Sequence, residues 1–252
     1  MVGTKRTFAL LLLAATCASL QAERLPEWVL PLRDTVYGQS LTVDEVRPLY
    51  LEASAAAWRH TAGPCRYLTL SRIEYLMGRS LFSEGRTSEA RAHFRKGLAL
   101  AGTAVEMAPS ADAWALRARN LAWLGRAGTR TFAISASVNV ERFAKNALEL
   151  DGRNAEAQYL VAAHWIFAPR PFANLRRGME MMKAIPENAD MDRGDIFNVA
   201  MAIGWAHIRQ GRHGEARPWI LKALEVFPTN GSAAGLLEAA ENPGRRIRVR
   251  PY

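Results

Sequence analysis

Five histidines are the side chains best suited to proton transfer or metal binding: His60, His93, His164, His207 and His213. No two of them stand three or four apart, the spacing that would put both imidazoles on one helical face, and no HExxH motif is present. His164 directly precedes Trp165, which suits a buried, satisfied imidazole better than a catalytic one. Asp190, Asp192 and Asp195 form an acidic cluster, but it lacks the glycine and the terminal glutamate of a helix-loop-helix calcium loop. These aspartates read as helix caps and solvated turn residues. No GxSxG elbow, phosphate-cradling glycine loop or dinucleotide fingerprint occurs. The expectation is a protein with no catalytic set, no metal and no cofactor.

The only cysteines are Cys17 and Cys65, and they make neither a CxxC pair nor a metal-ligand spacing. Cys17 lies within an export-type leader. Lys5 and Arg6 supply its positive region and Phe8 to Ala15 its apolar run. Two readings of the leader compete. Cleavage after Ala22 would release a signal peptide of residues 1–22. Alternatively, Leu13-Ala14-Ala15-Thr16-Cys17 would act as a degenerate lipobox, with 1–16 as a lipoprotein signal and Cys17 lipidated. Either places the protein in the periplasm or elsewhere outside the cytoplasm, the second as a membrane-anchored lipoprotein. No later run reaches about 18 apolar residues, so no membrane span is expected beyond the leader.

Of 252 residues, 33 are Lys or Arg and 24 are Asp or Glu, a formal charge of +9. A basic surface attracts nucleic acid, anionic lipid or acidic protein, and export makes nucleic acid the least fitting of the three. Much of the excess sits in Arg245, Arg246, Arg248 and Arg250. These belong to a tail, 242–252, in which Pro243 and Gly244 stop the preceding helix. The tail reads as a frayed basic terminus or as an extended arm for an acidic partner.

Between the leader and the tail, residues 23–241 read as one helical domain. Apolar residues recur at helical spacing from about 42 to 240, and no β-branched run alternates with polar residues. Short breaks at 84–86, 124–126, 151–154, 210–212 and 229–231 contain Gly or Asn, which end one helix and cap the next. The breaks are self-similar. Ala104 to Pro109, Ala147 to Gly152 and Ala223 to Pro228 each form an amphipathic helix end with a Pro or Gly stop. Repetition of this kind points to a stack of helical hairpins.

Two stretches carry a more specific pattern. From about 197 to 230, Ile203-Gly204 is followed by Ala216 and Ile220, then by Pro228. From about 70 to 109, Met77-Gly78 is followed by Ala90 and Phe94, then by Pro109. A glycine on the first helix lets the second approach, and the large residue on the second fills the groove. These stretches resemble tetratricopeptide repeats (TPRs), whose pattern has a small residue in the first helix, Ala-x3-Phe in the second and a terminal Pro. The resemblance covers perhaps 70% of the chain. Units near 111–150 and 155–186 keep the helix ends but lose the glycine and the aromatic. The units recur every 40 to 44 residues or so, against about 34 in the family. His207 takes the place of a packing aromatic, which implies a core role. The segment Phe167-Ala168-Pro169-Arg170-Pro171-Phe172 interrupts one hairpin and reads as a rigid turn or an insertion.

The resemblance implies an all-α fold, an α-solenoid of TPR-like hairpins whose first helices line a concave face. On that register the inner positions are Glu74, Arg79 and Phe82, then Asp112, Ala115, Arg119 and Ala122, then Glu156, Tyr159, Ala163 and Ile166, and finally Asn198, Met201, Trp205 and Ile208. The binding residues expected among them are Arg79, Phe82, Arg119, Tyr159, Ile166, Met201, Trp205 and Ile208. The Lys/Asn clamp for a peptide carboxylate found in some relatives is not evident. The leading function is an exported, non-enzymatic scaffold that holds a protein partner in the cell envelope. The alternative is an apolar-ligand-binding accessory resembling the TPR component of tripartite periplasmic (TRAP) transporters, using Tyr159, Met201, Trp205 and Ile208. A competing structural reading has those four side chains packed on another helix of the same chain.

Overall fold

The computed structural model describes residues 25–168, 173–189 and 191–243. The leader with Cys17, the Pro169–Phe172 segment, Asp190 and the arginine-rich tail lie outside the described residues.

Among the described residues the regular structure is helical throughout. A 3₁₀ turn at Glu27–Val29 leads into eleven helices: α1 Leu30–Gly38, α2 Val43–His60, α3 Gly63–Ser83, α4 Thr87–Met107, α5 Ala111–Arg126, α6 Arg130–Leu150, α7 Ala155–Phe167, α8 Leu175–Asn188, α9 Arg193–Arg209, α10 His213–Val226 and α11 Gly231–Glu241. Four hairpins, α3/α4, α5/α6, α7/α8 and α9/α10, stack side by side, and α11 closes the end. The first helices α3, α5, α7, α9 and α11 touch in sequence and make a continuous inner row. This is the expected all-α solenoid.

The helix boundaries follow from local chemistry. Side-chain oxygens of Ser110, Thr129, Asn154, Asn174, Asp192 and Asn230 each accept a backbone N–H of the third residue into the following helix, satisfying donors that helix starts leave open. Gly85 and Gly211 turn the two TPR-like hairpins with φ of 81° and 72°, where a side chain would be strained.

The predicted packing steps are present. A methyl group placed on Gly78 would fall 2.5 Å from the Phe94 ring, and one on Gly204 would fall 2.8 Å from Ile220 Cγ1. The third hairpin has its own version, with the glycine moved to the second helix: a Cβ on Gly178 would meet Ile166 Cγ1 at 2.5 Å. The α5/α6 hairpin packs instead through Trp114 and Phe143, whose ring centroids are 5.4 Å apart.

The N-terminal helix departs from a simple stack. α1 packs against α2 and α3, and its C-terminal end also reaches the last hairpin. Tyr37 stacks on Phe227 at 5.2 Å and meets the edge of Phe197 at 5.6 Å between centroids. Asn198 Nδ2 donates to Tyr37 Oη at 3.0 Å, and Asn230 Nδ2 donates to the Tyr37 carbonyl at 2.6 Å. Thr229 Oγ1 donates to the Gly38 carbonyl at 2.8 Å. Gln39, in the left-handed region at φ 52°, exchanges two hydrogen bonds with Ser232. The start of the domain is thereby fastened across the inner face to its end.

Candidate functional site: the inner wall and its open rim

Most inner-wall residues are buried, and α1 lies over part of the wall, with Tyr37 against Arg79 and Asn198. Arg119 is 4% exposed, Met201 1% and Trp205 7%, and Tyr159 is also buried. The exposure expected at these positions is therefore not found. Trp205 lies against Phe167 at 4.9 Å, and the Arg209 guanidinium covers its ring at 4.8 Å. Ile208 is half-buried. The four apolar positions pack within the chain, so they form no open groove among the described residues. Two further positions face elsewhere. Ile166 points between α7 and α8 toward Gly178. Glu74 sits between α2, α3 and α4, where it accepts from Tyr50 Oη at 2.9 Å and Lys96 Nζ at 2.6 Å and pairs with His93 Nδ1 at 2.6 Å. Burial alone would raise its carboxyl, but these partners outweigh burial and hold it below the ordinary range.

The floor of the wall is a network of arginines, tyrosines and carboxylates. Arg119 Nε donates to Glu156, whose other oxygen is 3.8 Å from Arg72 Nη2. Arg119 Nη1 and Arg79 Nη1 both donate to Tyr75 Oη, at 3.2 and 3.3 Å. Burial pushes the Tyr75 phenol up, yet the two guanidiniums win and hold it below its usual value. Arg33 of α1 approaches Asp192 at 3.7 Å. Asp192 and Asp195 form a reciprocal capping box at the start of α9, the cap role expected for them. Burial, followed by the Asp192 carboxylate, pushes Asp195 up to about 7. A void of about 60 Å³ lies between Arg33, Arg72, Arg119, Glu156 and Asp195.

At one rim the wall is open. A cleft of about 500 Å³ lies between the α1–α2 turn, the end of α3, the end of α5 and the start of α11. Two of the expected binding residues, Arg79 and Phe82, line it together with Trp123 and Arg126. Arg79 forms the floor, 5% exposed, with its guanidinium 4.1 Å from the Tyr37 ring centroid. Arg126 covers Phe82 at 5.2 Å and Trp123 at 4.8 Å. The Phe82 and Trp123 rings meet edge to face at 5.7 Å. Sequence reasoning missed Trp123 and Arg126 by assigning the end of α5 only to the turn. A signal was available: Arg79/Phe82 and Trp123/Arg126 are both arginine–aromatic pairs at i,i+3, the spacing of neighbours on a helix face.

The histidines stand apart from this cleft. His207 is buried, and burial lowers its imidazole below the usual value, consistent with the core position expected for it. His164 is half-buried, edge-on to Trp165 at 5.5 Å. Among the described residues no group of three or more His, Cys, Asp or Glu is placed to hold a metal ion.

The Tetratricopeptide repeat family model matches residues 198–230, which run from α9 through α10 to the N-cap of α11. The fold is similar to the crystal structure of TTC0263, a thermophilic TPR protein of Thermus thermophilus. That match has a TM-score of 0.53 and 16% identity, and covers 79% of this chain and 90% of that one. No curated protein matches the sequence. The chain thus carries a tetratricopeptide repeat in its last hairpin, within a TPR-type solenoid fold.

Proposed function

We propose that the protein is an exported, non-enzymatic scaffold that holds a protein partner in the cleft at the rim of its inner wall. The observation that carries this reading is the cleft itself. It is the large concavity on the face where a TPR-type stack presents its first helices, and rigid aromatic and arginine side chains line it. Trp, Tyr and Arg are the residues that most often anchor protein interfaces. Two further features support a binding role over a catalytic one. Among the described residues no histidine or cysteine lines the cleft. Its two carboxylates serve α2: Glu45 accepts from Thr42 N and Oγ1, and Glu84 accepts from Val43 N at 2.6 Å.

Export rests on Lys5, Arg6 and the Phe8–Ala15 run. The mature form begins either after Ala22 or at an acylated Cys17. The intact mass of the protein extracted from its own cells separates these two, and a mass that retains residues 1–16 overturns export through this leader.

Partner binding is tested by placing a photo-crosslinking amino acid at position 82, with position 138 on the outer face as control (Val138 is 69% exposed). The expected result is a discrete crosslinked species from position 82 that is missing from position 138. Identical patterns from both positions, or none from position 82, contradict the reading.

A further inference from the structure

We propose that the outer face of α2 docks on an anionic phospholipid bilayer, with Trp58 and Leu51 entering the headgroup layer. This face is separate from the cleft, and the docking stands or falls independently of the partner proposed there.

α2 is the end helix of the stack. It packs on α1, α3 and the Glu27–Val29 turn, and Tyr50 reaches His93 of α4. Its far side is exposed and carries Pro48, Leu51, Ala55 and Trp58. Steps of three, four and three residues put these side chains in one stripe along the helix. Leu51 is 58% exposed and Trp58 56%. The Trp58 ring is also held in place. The Arg66 guanidinium lies 4.7 Å from its centroid, and Arg66 is itself fixed by donating from Nε and Nη2 to the Thr61 carbonyl at 2.8 and 2.6 Å. A tryptophan presented outward, with an apolar body and a polar tip, suits a membrane–water interface.

The charges around the stripe favour an anionic layer. Arg47 and Arg59 are exposed beside it, and Arg66 covers Trp58. The carboxylates of α2 nearest the stripe are Asp44 and Glu52, and Arg86 approaches Asp44 at 3.4 Å. Each cation at an anionic surface contributes about 1 kcal/mol. The chain also enters the domain at this end, since the Trp28 and His60 rings are 6.3 Å apart. Seven residues, 18–24, separate Cys17 from Leu25, a reach of at most about 29 Å. Acylation of Cys17 would therefore hold the Trp58 end of α2 at the bilayer.

The size and shape of the stripe suit lipid better than protein. From Pro48 to Trp58 it is about 15 Å long and about 10 Å wide, on a convex helix. A stable protein interface takes about 800 Å² from each partner. A headgroup layer moulds around a convex ridge, and a small amphipathic face binds it reversibly. Among the described residues no helix is long and apolar enough to cross a membrane, so the contact is with the surface.

Vesicle co-sedimentation of the unacylated mature chain beginning at Glu23 tests this. The vesicles are phosphatidylethanolamine with phosphatidylglycerol, or phosphatidylcholine alone. Binding to the anionic vesicles is expected, about tenfold stronger than to the neutral ones. Leu51→Ser with Trp58→Ser lowers it about tenfold without changing any charge, which separates the face from attraction by the arginine-rich tail. Arg59→Gln lowers it about fivefold. Brominated lipid should quench part of the tryptophan fluorescence, and that part should vanish in Trp58→Phe. Both positions are exposed, so the variants should fold, and circular dichroism checks this. No binding, equal binding to both vesicle types, or anionic binding unchanged by the double serine variant overturns the proposal. A discrete protein crosslinked from position 58 in the native envelope, with vesicle binding indifferent to the double variant, overturns it in favour of a protein partner.

Discussion

The two ends of the inner wall are built from the same helices and covered differently. Near α9 and α11 the wall is closed by α1. Tyr37 is set among Phe197, Phe227 and Asn198, and the C-terminal turn bonds to Gly38 and Gln39. Between this clasp and the ends of α3 and α5 a cleft remains, with Gln39 and Ser232 of the clasp on its wall. Apolar residues prevail at the closed end. Guanidiniums lie over rings in both places, Arg193 over Phe227 and Arg126 over Phe82 and Trp123, and at the rim the cleft lies beside them. Apolar surface left in water is costly, so the chain covers it with its own helix. Arginines stacked on rings tolerate water at their edges and can stay uncovered. A repeat array can therefore fill its concave face with itself and still keep one end for something else.

The largest break in that contrast comes from Tyr37→Ala. It removes a buried ring from two aromatic contacts and from the Arg79 guanidinium and strands Asn198, a loss of about 3–5 kcal/mol by analogy with other buried aromatic truncations. Chemical denaturation reads it, and added solvent access at Phe227 shows the closed end opening. A change under about 1 kcal/mol would mean that α1 does not hold the closed end.

Gly204→Ala is next. Its methyl would fall 2.8 Å from Ile220 Cγ1 in the hairpin beneath the closed end. Overpacking of this kind costs about 1–3 kcal/mol. Ile220→Ala in the same chain, which removes the Cγ1 that the methyl would meet, should recover part of it, measured as a double-mutant cycle. Additive losses in the two variants would sink the close-contact account.

Two carboxylates supply opposite pH signatures. Asp195, at the closed end, is raised to about 7 in the fold. The folded state therefore holds a proton that the unfolded state has released, and this contribution is full below about pH 4 and lost as pH rises toward 7. Glu74, on the outer side of α3, is lowered. Its contribution is present above its unfolded value and lost as pH falls through the folded one. Denaturation midpoints across pH 3 to 8 should flatten on the neutral side in Asp195→Asn and on the acid side in Glu74→Gln. Slopes unchanged from the parent would refute either assignment.

The smallest stability effect belongs to the open rim. Arg126→Gln, at a half-buried edge, should shift stability by no more than about 0.5 kcal/mol in chemical denaturation. A large loss of stability would show that the rim, like the opposite end, is structural.

The stack was legible because its signals are local: Gly78 with Phe94, Gly204 with Ile220, and caps at regular breaks. The third hairpin was harder because Gly178 moved the small residue to the second helix and inverted the pattern. The family model matches the last hairpin, whose second helix has 14 residues, whereas the second helices of the first two hairpins run to 21. The inner wall was half legible. Counting along a helix identified Arg79 and Phe82, but period alone cannot reveal that residues 30–39 return to the last hairpin. That fact resides in contacts such as Tyr37 with Asn198, 161 positions apart. Glu74 was misplaced for a related reason: a helix flanked on both sides has no solvent face at that position, and the polar partner for a buried carboxylate comes from α2 and α4.

The fastening of α1 to α11 also changes how such a chain comes into being. An open solenoid can add and lose units at its tips, each depending on its neighbour alone. Here the first helix completes its contacts only once Ser232 has been synthesised, so an emerging chain carries Tyr37 without Phe227 and Asn230 until almost the last helix arrives. Closing a loop of that length costs entropy before it returns any contact. Fraying from either tip must then break the clasp first, and the array should melt as one unit.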